Sequence, residues 1–193
     1  MNIFILDEDP VVAASLQCDK HVVKMILESA QLLSTAHRVL DGTPMKVPSK
    51  SGKSVVTHYV LPELEDKLYR TSHINHPCNV WVRESKANYD WLFTHFVALC
   101  YEYRYRYGKT HKSSLLKEYL DKQPKNIPNI GLTPFVLGMK STNPECMNTD
   151  DPVGSYQKFY QTKQSAFRMV WTKRKTPEWF KNVSLNSNNI TNW

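Results

Sequence analysis

The chain has 193 residues, 41% hydrophobic and 11% aromatic, which predicts one domain with a single sizeable core. Lysine and arginine number 25 against 18 acidic residues, and the net charge of +7 favours a polyanionic partner. The four scattered cysteines do not fit a disulfide scaffold, and no segment is long and apolar enough to span a membrane. The first apolar run breaks at Asp7, so we expect no signal peptide and a cytoplasmic protein.

Helices separated by loops account for most of the predicted elements. In chain order they are a helix over residues 10–17, a helix over 19–40, a mobile loop to about residue 54, a helix over 75–107, a long proline-rich loop over 123–150 and a helix over 152–173. Only Ile3–Leu6 is predicted to be extended. These elements predict a mainly α, compact single-domain helical fold with long Pro-containing loops over residues 1–182, followed by a flexible tail over 183–193.

The helix predicted over 75–107 carries one apolar stripe at helical spacing. Such a stripe is typical of packing against a core, and we interpret it in that way. Its members are Val82, Tyr89, Leu92, Phe96, Leu99, Tyr103 and Tyr107.

One face of the helix predicted over 19–40 is polar, although its other faces are apolar. His21, Lys24, Glu28 and Gln31 recur at spacings of three, four and three, and we call them the polar face. The same face extends to Gln17, Thr35 and Arg38. Because a polar seam on an otherwise buried helix usually lines a cleft, Glu28 is a candidate for acid–base chemistry. The alternative is a solvated face with a weak pair between Lys24 and Glu28.

A zinc site is a competing interpretation of the first half of the chain. Cys18 and His21 form a C-x-x-H pair, and His76 and Cys78 form an H-x-C pair. Neither pair is a Cys-x-x-Cys knuckle, and Pro77 restricts the backbone between His76 and Cys78 in the second pair. We therefore expect no metal.

Two segments, 101–112 and 173–181, interleave aromatic residues with cations. Cations neutralise phosphates and aromatic rings stack on bases, so both segments are candidate nucleic-acid contacts. The candidate residues are Arg104, Arg106, Lys109, Lys112, Trp179, Phe180 and Lys181. The two C-terminal rings have an alternative role as a cap on the core.

Three short stretches are informative because they occur together in one chain. They are His21 with Glu28 seven residues later, Asn75-His76-Pro77, and Pro177-Glu178-Trp179-Phe180-Lys181. Trp81 and the helix end Arg106-Tyr107-Gly108-Lys109 add to them. Together they resemble the pyrimidine-dimer DNA glycosylases with abasic-site lyase activity, of the phage endonuclease V type.

This resemblance implies a helical domain without metal or cofactor, in which an α-amine attacks C1′ of a deoxyribose and a glutamate, here Glu28, assists. An α-amine titrates near ~7.7–8.0 against ~10.4 for lysine, so more of it is free base at neutral pH. The phage members start Met-Thr, whereas this chain starts Met1-Asn2. The amine therefore belongs to Met1, to Asn2 after loss of Met1, or to Lys24 as a fallback, or else the protein is not a lyase. The candidate DNA contacts on this scaffold are His21, Gln31, Arg38, Asn75, His76 and Arg83.

We predict a DNA-repair enzyme, a glycosylase and abasic-site lyase that acts as a monomer on damaged or modified pyrimidines in double-stranded DNA. If the chain is phage-encoded, it would work in the host cytoplasm. Two alternatives remain: a non-catalytic basic protein that binds DNA or RNA, and an enzyme of the same scaffold that acts on a modified base.

Overall fold

The computed structural model describes residues 1–49 and 51–180, and within them the chain is mainly helical, as predicted. The elements are α1 (Pro10–Ser15), α2 (Asp19–Asp41), β1 (Thr43–Pro48), β2 (Val55–Val60), α3 (Pro77–Glu84), α4 (Lys86–Tyr107), α5 (Lys117–Leu120) and α6 (Pro152–Gln161). Short 3₁₀ turns cover Pro62–Leu64, Lys112–Leu116, Pro144–Cys146 and Thr162–Ser165. No helix in these two ranges is both long and apolar enough to cross a membrane.

The core lies where α4 packs against α1 and α2, with α3 closing one side. The buried faces of α2 and α4 meet through apolar side chains such as Ile26, Leu33 and Phe96. Five members of the predicted apolar stripe are fully buried, whereas Tyr103 is half-buried and Tyr107 is 36% exposed. The core interpretation of the stripe is confirmed except at its C-terminal end.

The prediction of a single helix over 75–107 is wrong, because the chain forms two helices, α3 and α4, which are separated at Ser85. Ser85 is extended, with φ −151° and ψ 156°, and its Oγ accepts a hydrogen bond from the backbone N–H of Asn88 at 3.0 Å. This is an N-cap, which satisfies a donor that the first turn of α4 would otherwise leave free. Gly108, at φ 65°, ends α4 in the left-handed conformation that glycine adopts without strain.

The loop predicted up to residue 54 is wrong over Thr43–Pro48, which forms the first strand of an antiparallel hairpin. β1 pairs with β2 in a register that places Thr43 opposite Val60 and Pro48 opposite Val55. β1 is almost entirely exposed, and the one buried residue of β2 is His58, so neither strand shows the alternation of apolar and polar residues by which a half-buried strand is recognised. The predicted flexible tail over 183–193 lies outside the described residues.

Two further boundaries differ from the predictions. The helix expected to reach residue 173 ends at Gln161 and continues only as a 3₁₀ turn to Ser165. The stretch Ile3–Leu6 is buried but is not a strand, because Phe4 adopts φ 57°. This conformation is uncommon for a residue with a side chain, and it turns the N-terminal segment towards α2.

Acid is expected to destabilise the fold between about pH 6.5 and pH 4, where histidines in the unfolded chain become protonated. Burial lowers the pKa of His37 to about 4 and that of His95 to about 3. The unfolded chain therefore binds more protons in this window, and stability is lost as the pH falls. Urea unfolding at about pH 7 and about pH 5 measures the change, which should be smaller in His37→Gln than in the wild type. Equal losses in the two proteins would contradict this assignment.

Candidate active site

A cleft of about 380 Å³ lies beside the N-terminus, where α2, α6 and the loop after Leu137 meet. The side chains that line it are Met1, Asn2, Phe4, His21, Lys24, Glu28, His76, Ser141, Thr142, Phe159, Lys163 and Phe167, together with Gly138. Three of the four residues of the polar face therefore line the same cavity. Gln31, the fourth, is half-buried and does not line it.

Among the described residues, Glu28 is the one carboxylate that lines this cleft, and its surroundings are cationic. The residue is 9% exposed, and its Oε2 accepts a hydrogen bond from the backbone N–H of Asn2 at 2.9 Å. The N-terminal nitrogen of Met1 lies 3.9 Å from the same oxygen. Lys24 Nζ lies 3.2 Å from Oε1, with its side chain 63% exposed. The predicted pair between Lys24 and Glu28 is therefore present, but the carboxylate of Glu28 lines the cleft.

The N-terminal segment is held in place by its own side chain. Asn2 Oδ1 accepts hydrogen bonds from the backbone N–H groups of Ile3 at 2.7 Å and Phe4 at 2.9 Å. The positive φ of Phe4 is compatible with this turn, because both N–H groups then point to one acceptor. The consequence is a backbone nitrogen at position 2 that is fixed against Glu28.

Gly138 supports the same segment from the opposite wall. A Cβ atom at this position would lie 2.8 Å from Cys78 Sγ and 3.4 Å from Asn2 Nδ2. Only glycine therefore allows the loop to approach α3 and Asn2 so closely.

His21 lines the cleft through its ring and carries no charge at neutral pH. Its ring stacks on Phe4 at 4.7 Å between centroids and meets Phe167 edge-on at 5.4 Å. Burial, followed by the charges of Lys24 and Lys163, lowers the pKa of His21 to about 4. The imidazole is therefore neutral at neutral pH, and its predicted role as a DNA contact is limited to stacking and hydrogen bonding.

Lys163 was not among the residues predicted from the sequence, although it lines the cleft. Its Nζ lies 3.7 Å from the centre of the Phe159 ring. Burial and the nearby charge of Lys24 lower its pKa. The i,i+4 spacing of Phe159 and Lys163 was visible, but nothing in the sequence placed this turn beside α2.

Arg38 and Arg106 were predicted to contact DNA, and the structure contradicts both predictions. Arg106 is 3% exposed, and its guanidinium donates to Glu102, Asp19 and the carbonyl oxygen of Gln17 at 3.0, 3.1 and 2.8 Å. Arg38 is fully buried and is paired with Glu65 at 2.6 Å. Neither guanidinium can reach a phosphate while these bonds are in place.

The remaining predicted contacts are distributed over several surfaces. Arg104, Lys109 and Lys112 are exposed at the far end of α4 and in the turn after it. Asn75 is exposed next to His76, whereas Arg83 is half-buried and donates to the carbonyl oxygen of Ile74 at 2.8 Å. Of these six, the structure brings only His76 to the cleft.

The two C-terminal rings pack inward, as their alternative role predicted. Phe180 is 6% exposed and lies edge-on to Trp171, with 4.7 Å between centroids, so its predicted stacking on a base is wrong. Trp179 is half-buried and meets Tyr160 at 6.0 Å. Lys181 lies outside the described residues.

The zinc interpretation receives no support in the part of the chain that the structure describes. No three or more His, Cys, Asp or Glu side chains come together there in a group that could hold a metal ion. Burial raises the pKa of Cys78 to about 12, which disfavours the thiolate that zinc requires.

A mainly helical domain with a carboxylate and backbone nitrogens in one cationic cleft fits the class of DNA glycosylases that the sequence resembled. A family model described as pyrimidine dimer DNA glycosylase matches residues 1–115, more than half of the chain. The chain belongs to this family. The matched range includes Asn2, Glu28 and His76, whereas Gly138 and Lys163 lie beyond it. Searches of curated proteins and of solved structures found no match.

Proposed function

We propose that the protein is a DNA glycosylase with abasic-site lyase activity, which acts on damaged or modified pyrimidines in double-stranded DNA. The observation that supports this most directly is the nitrogen of Asn2, 2.9 Å from the Glu28 carboxylate inside the cleft. Once Met1 is removed, that nitrogen is an α-amine, and a nucleophile and a proton-transfer group stand within hydrogen-bond reach.

In the proposed reaction the free amine attacks C1′ of the damaged nucleotide, and the bond from C1′ to the base breaks. The base leaves with the bonding electron pair and takes up a proton. The nitrogen loses one proton, its lone pair expels O4′, and O4′ takes up a proton, so that the opened sugar is joined to the protein through a protonated imine (iminium) at C1′. Glu28 is placed to carry the protons, because it contacts the attacking nitrogen directly.

The lyase step uses the same two groups. A base removes a proton from C2′, the electron pair forms a double bond between C2′ and C3′, and the bond from C3′ to the phosphate oxygen breaks. The iminium makes the C2′ proton acidic, so the carboxylate of Glu28 is a sufficient base. Hydrolysis of the imine would release the enzyme.

Asn2 is our choice of nucleophile over the two other amines. The nitrogen of Met1 is farther from Glu28, at 3.9 Å, and the Met1 side chain lies in the cleft that the substrate must enter. Lys24 Nζ is paired with Glu28 Oε1 at 3.2 Å and its side chain is 63% exposed, so it is engaged at the rim of the cleft. We assign Lys24 to orienting the Glu28 carboxylate, which makes it a positioning residue.

Incision of a duplex that carries one abasic site tests this function. The account predicts strand cleavage and, with borohydride present, a covalent protein–DNA adduct formed by reduction of the imine. A non-catalytic binding protein would bind the duplex but give neither product. Activity on abasic sites without release of any damaged pyrimidine would favour a modified base as the substrate.

A further inference from the structure

The hairpin and the loop that it packs against form a cationic surface outside the cleft. Lys46 and Lys53 are exposed on the hairpin, and Arg70 and His73 are exposed on the loop that leads to α3. We call these four residues the hairpin surface. Between the hairpin and the loop lies a hollow of about 300 Å³, which is lined in part by Arg70 and His73.

The strands of the hairpin carry no carboxylate, and the exposed Glu63 and Asp66 lie in the turn after β2. The sequence from 43 to 60 contains three lysines and no acidic residue, and no acidic residue among the described ones lines the hollow. Glu65 lies beneath the hairpin, where Arg38 and His58 contact it at 2.6 and 2.7 Å. Although burial acts in the opposite direction, these hydrogen bonds lower the pKa of Glu65 to about 2. Its charge is therefore committed to internal partners and does not neutralise the hairpin surface.

The hairpin is fixed relative to the cleft by Arg38, which lies on the same helix as Glu28. The Arg38 guanidinium donates to the carbonyl oxygen of Tyr59 at 3.0 Å, and to those of Tyr69 and Leu68 at 2.8 and 3.0 Å. These bonds tie β2 and the start of the loop to one buried side chain. A helix that carries the candidate catalytic carboxylate thus also sets the position of the hairpin.

The loop is joined to the N-terminus as well. Asn79 Nδ2 donates to the carbonyl oxygens of Ser72 and His73 at 2.6 and 3.0 Å, and it lies 3.6 Å from Met1 Sδ. His76, three residues after His73, lines the cleft. The loop that borders the hollow is therefore anchored next to the N-terminus, at one end of the cleft.

We propose that the hairpin surface binds the backbone of duplex DNA that flanks the reacting nucleotide. The two-stranded ribbon has the width that the major groove of B-DNA admits, about 12 Å, and it is too wide for the minor groove of about 6 Å. Its lysines and Arg70 would neutralise phosphates on either side of the groove. Met45, Val55 and Val56 are exposed on the ribbon and supply apolar contact area. The proposal takes the identity of the polyanion from the proposed function.

The test compares the double variant Lys53→Glu/Arg70→Glu with Lys122→Glu/Lys125→Glu, which changes the net charge equally. Lys122 and Lys125 are exposed and line a different hollow, which shares no lining residue with the cleft or with the hollow beside the hairpin. Affinity is measured for abasic-site duplexes whose flanks increase in length, over a range of salt concentrations. The hairpin variant should lose about 10-fold or more in affinity for the longest duplex, and the slope of log K against log salt should decrease by about 2.

The wild type and the control variant should gain affinity as the flanks lengthen, whereas the hairpin variant should not. Equal losses in both variants, or a hairpin variant that still gains with flank length, would overturn the proposal. The absence of incision and of a borohydride adduct in the wild type would instead contradict the proposed function. The comparison of affinities does not depend on that chemistry, so the two failures are distinguishable.

Discussion

Glu28→Gln is expected to reduce strand incision by about 10²–10⁴-fold, the usual range for loss of a general acid–base group. Glutamine keeps the shape of the side chain and can still accept the hydrogen bond that Asn2 donates to Glu28. It cannot carry the proton, and it no longer pairs with Lys24. Affinity for DNA should hold or increase, because one negative charge has left the cleft. Single-turnover incision and equilibrium binding measure the two effects separately.

Glu118→Gln is the matched control, because Glu118 is an exposed glutamate that lies outside the cleft. It removes the same charge and should change incision little. A Glu28→Gln protein that cleaves at the wild-type rate would show that Glu28 only pairs with Lys24. That result would contradict both the residue assignment and the mechanism based on it.

Arg106→Ala is expected to lower the free energy of unfolding by about 3–5 kcal/mol, the usual loss when one partner of a buried ion pair is removed. Arg106 contacts Asp19 and Glu102, which would be left in the interior with one cation fewer. Arg174 also contacts Glu102, so part of that charge remains compensated. Asp19 additionally accepts hydrogen bonds from Thr172, and the loss should therefore loosen the C-terminal segment.

Arg104→Ala provides the comparison, since Arg104 is exposed on the same helix two residues earlier. Its stability should stay within about 0.5 kcal/mol of wild type, as for most surface substitutions. Urea unfolding followed by circular dichroism measures both variants. If Arg106→Ala unfolds like Arg104→Ala and loses DNA affinity instead, the burial of Arg106 is not what determines its role.

The two arginines show what the charge pattern of a sequence leaves open. Arg38 and Arg106 resemble surface cations in the sequence, yet most of their partners are backbone carbonyl oxygens from distant segments. Every residue carries a carbonyl group, so composition and spacing give no indication of such partners. The periodicity of α2 did predict which residues share a face, because that relation depends only on positions within one helix.

The walls of the cleft were beyond prediction for a similar reason. Glu28 and Lys24 are one helical turn apart, whereas Lys163 and Gly138 approach them from more than 100 residues further along the chain. Phe4 adopts a left-handed conformation that its residue type disfavours, and the local turn at Asn2 accounts for it only once the structure is known. The hairpin was missed because β1 is exposed and the buried residue of β2 is the polar His58, so neither strand has an apolar face that would indicate its period.

The position of the borohydride-trapped adduct tests the central claim most directly. The protein is trapped on an abasic-site duplex, digested with a protease and analysed by mass spectrometry, and the intact mass reports whether Met1 is present. The account predicts that the reduced adduct is attached to the α-amine of Asn2, beside Glu28. An adduct on Lys24, or on any lysine outside the cleft, would contradict it.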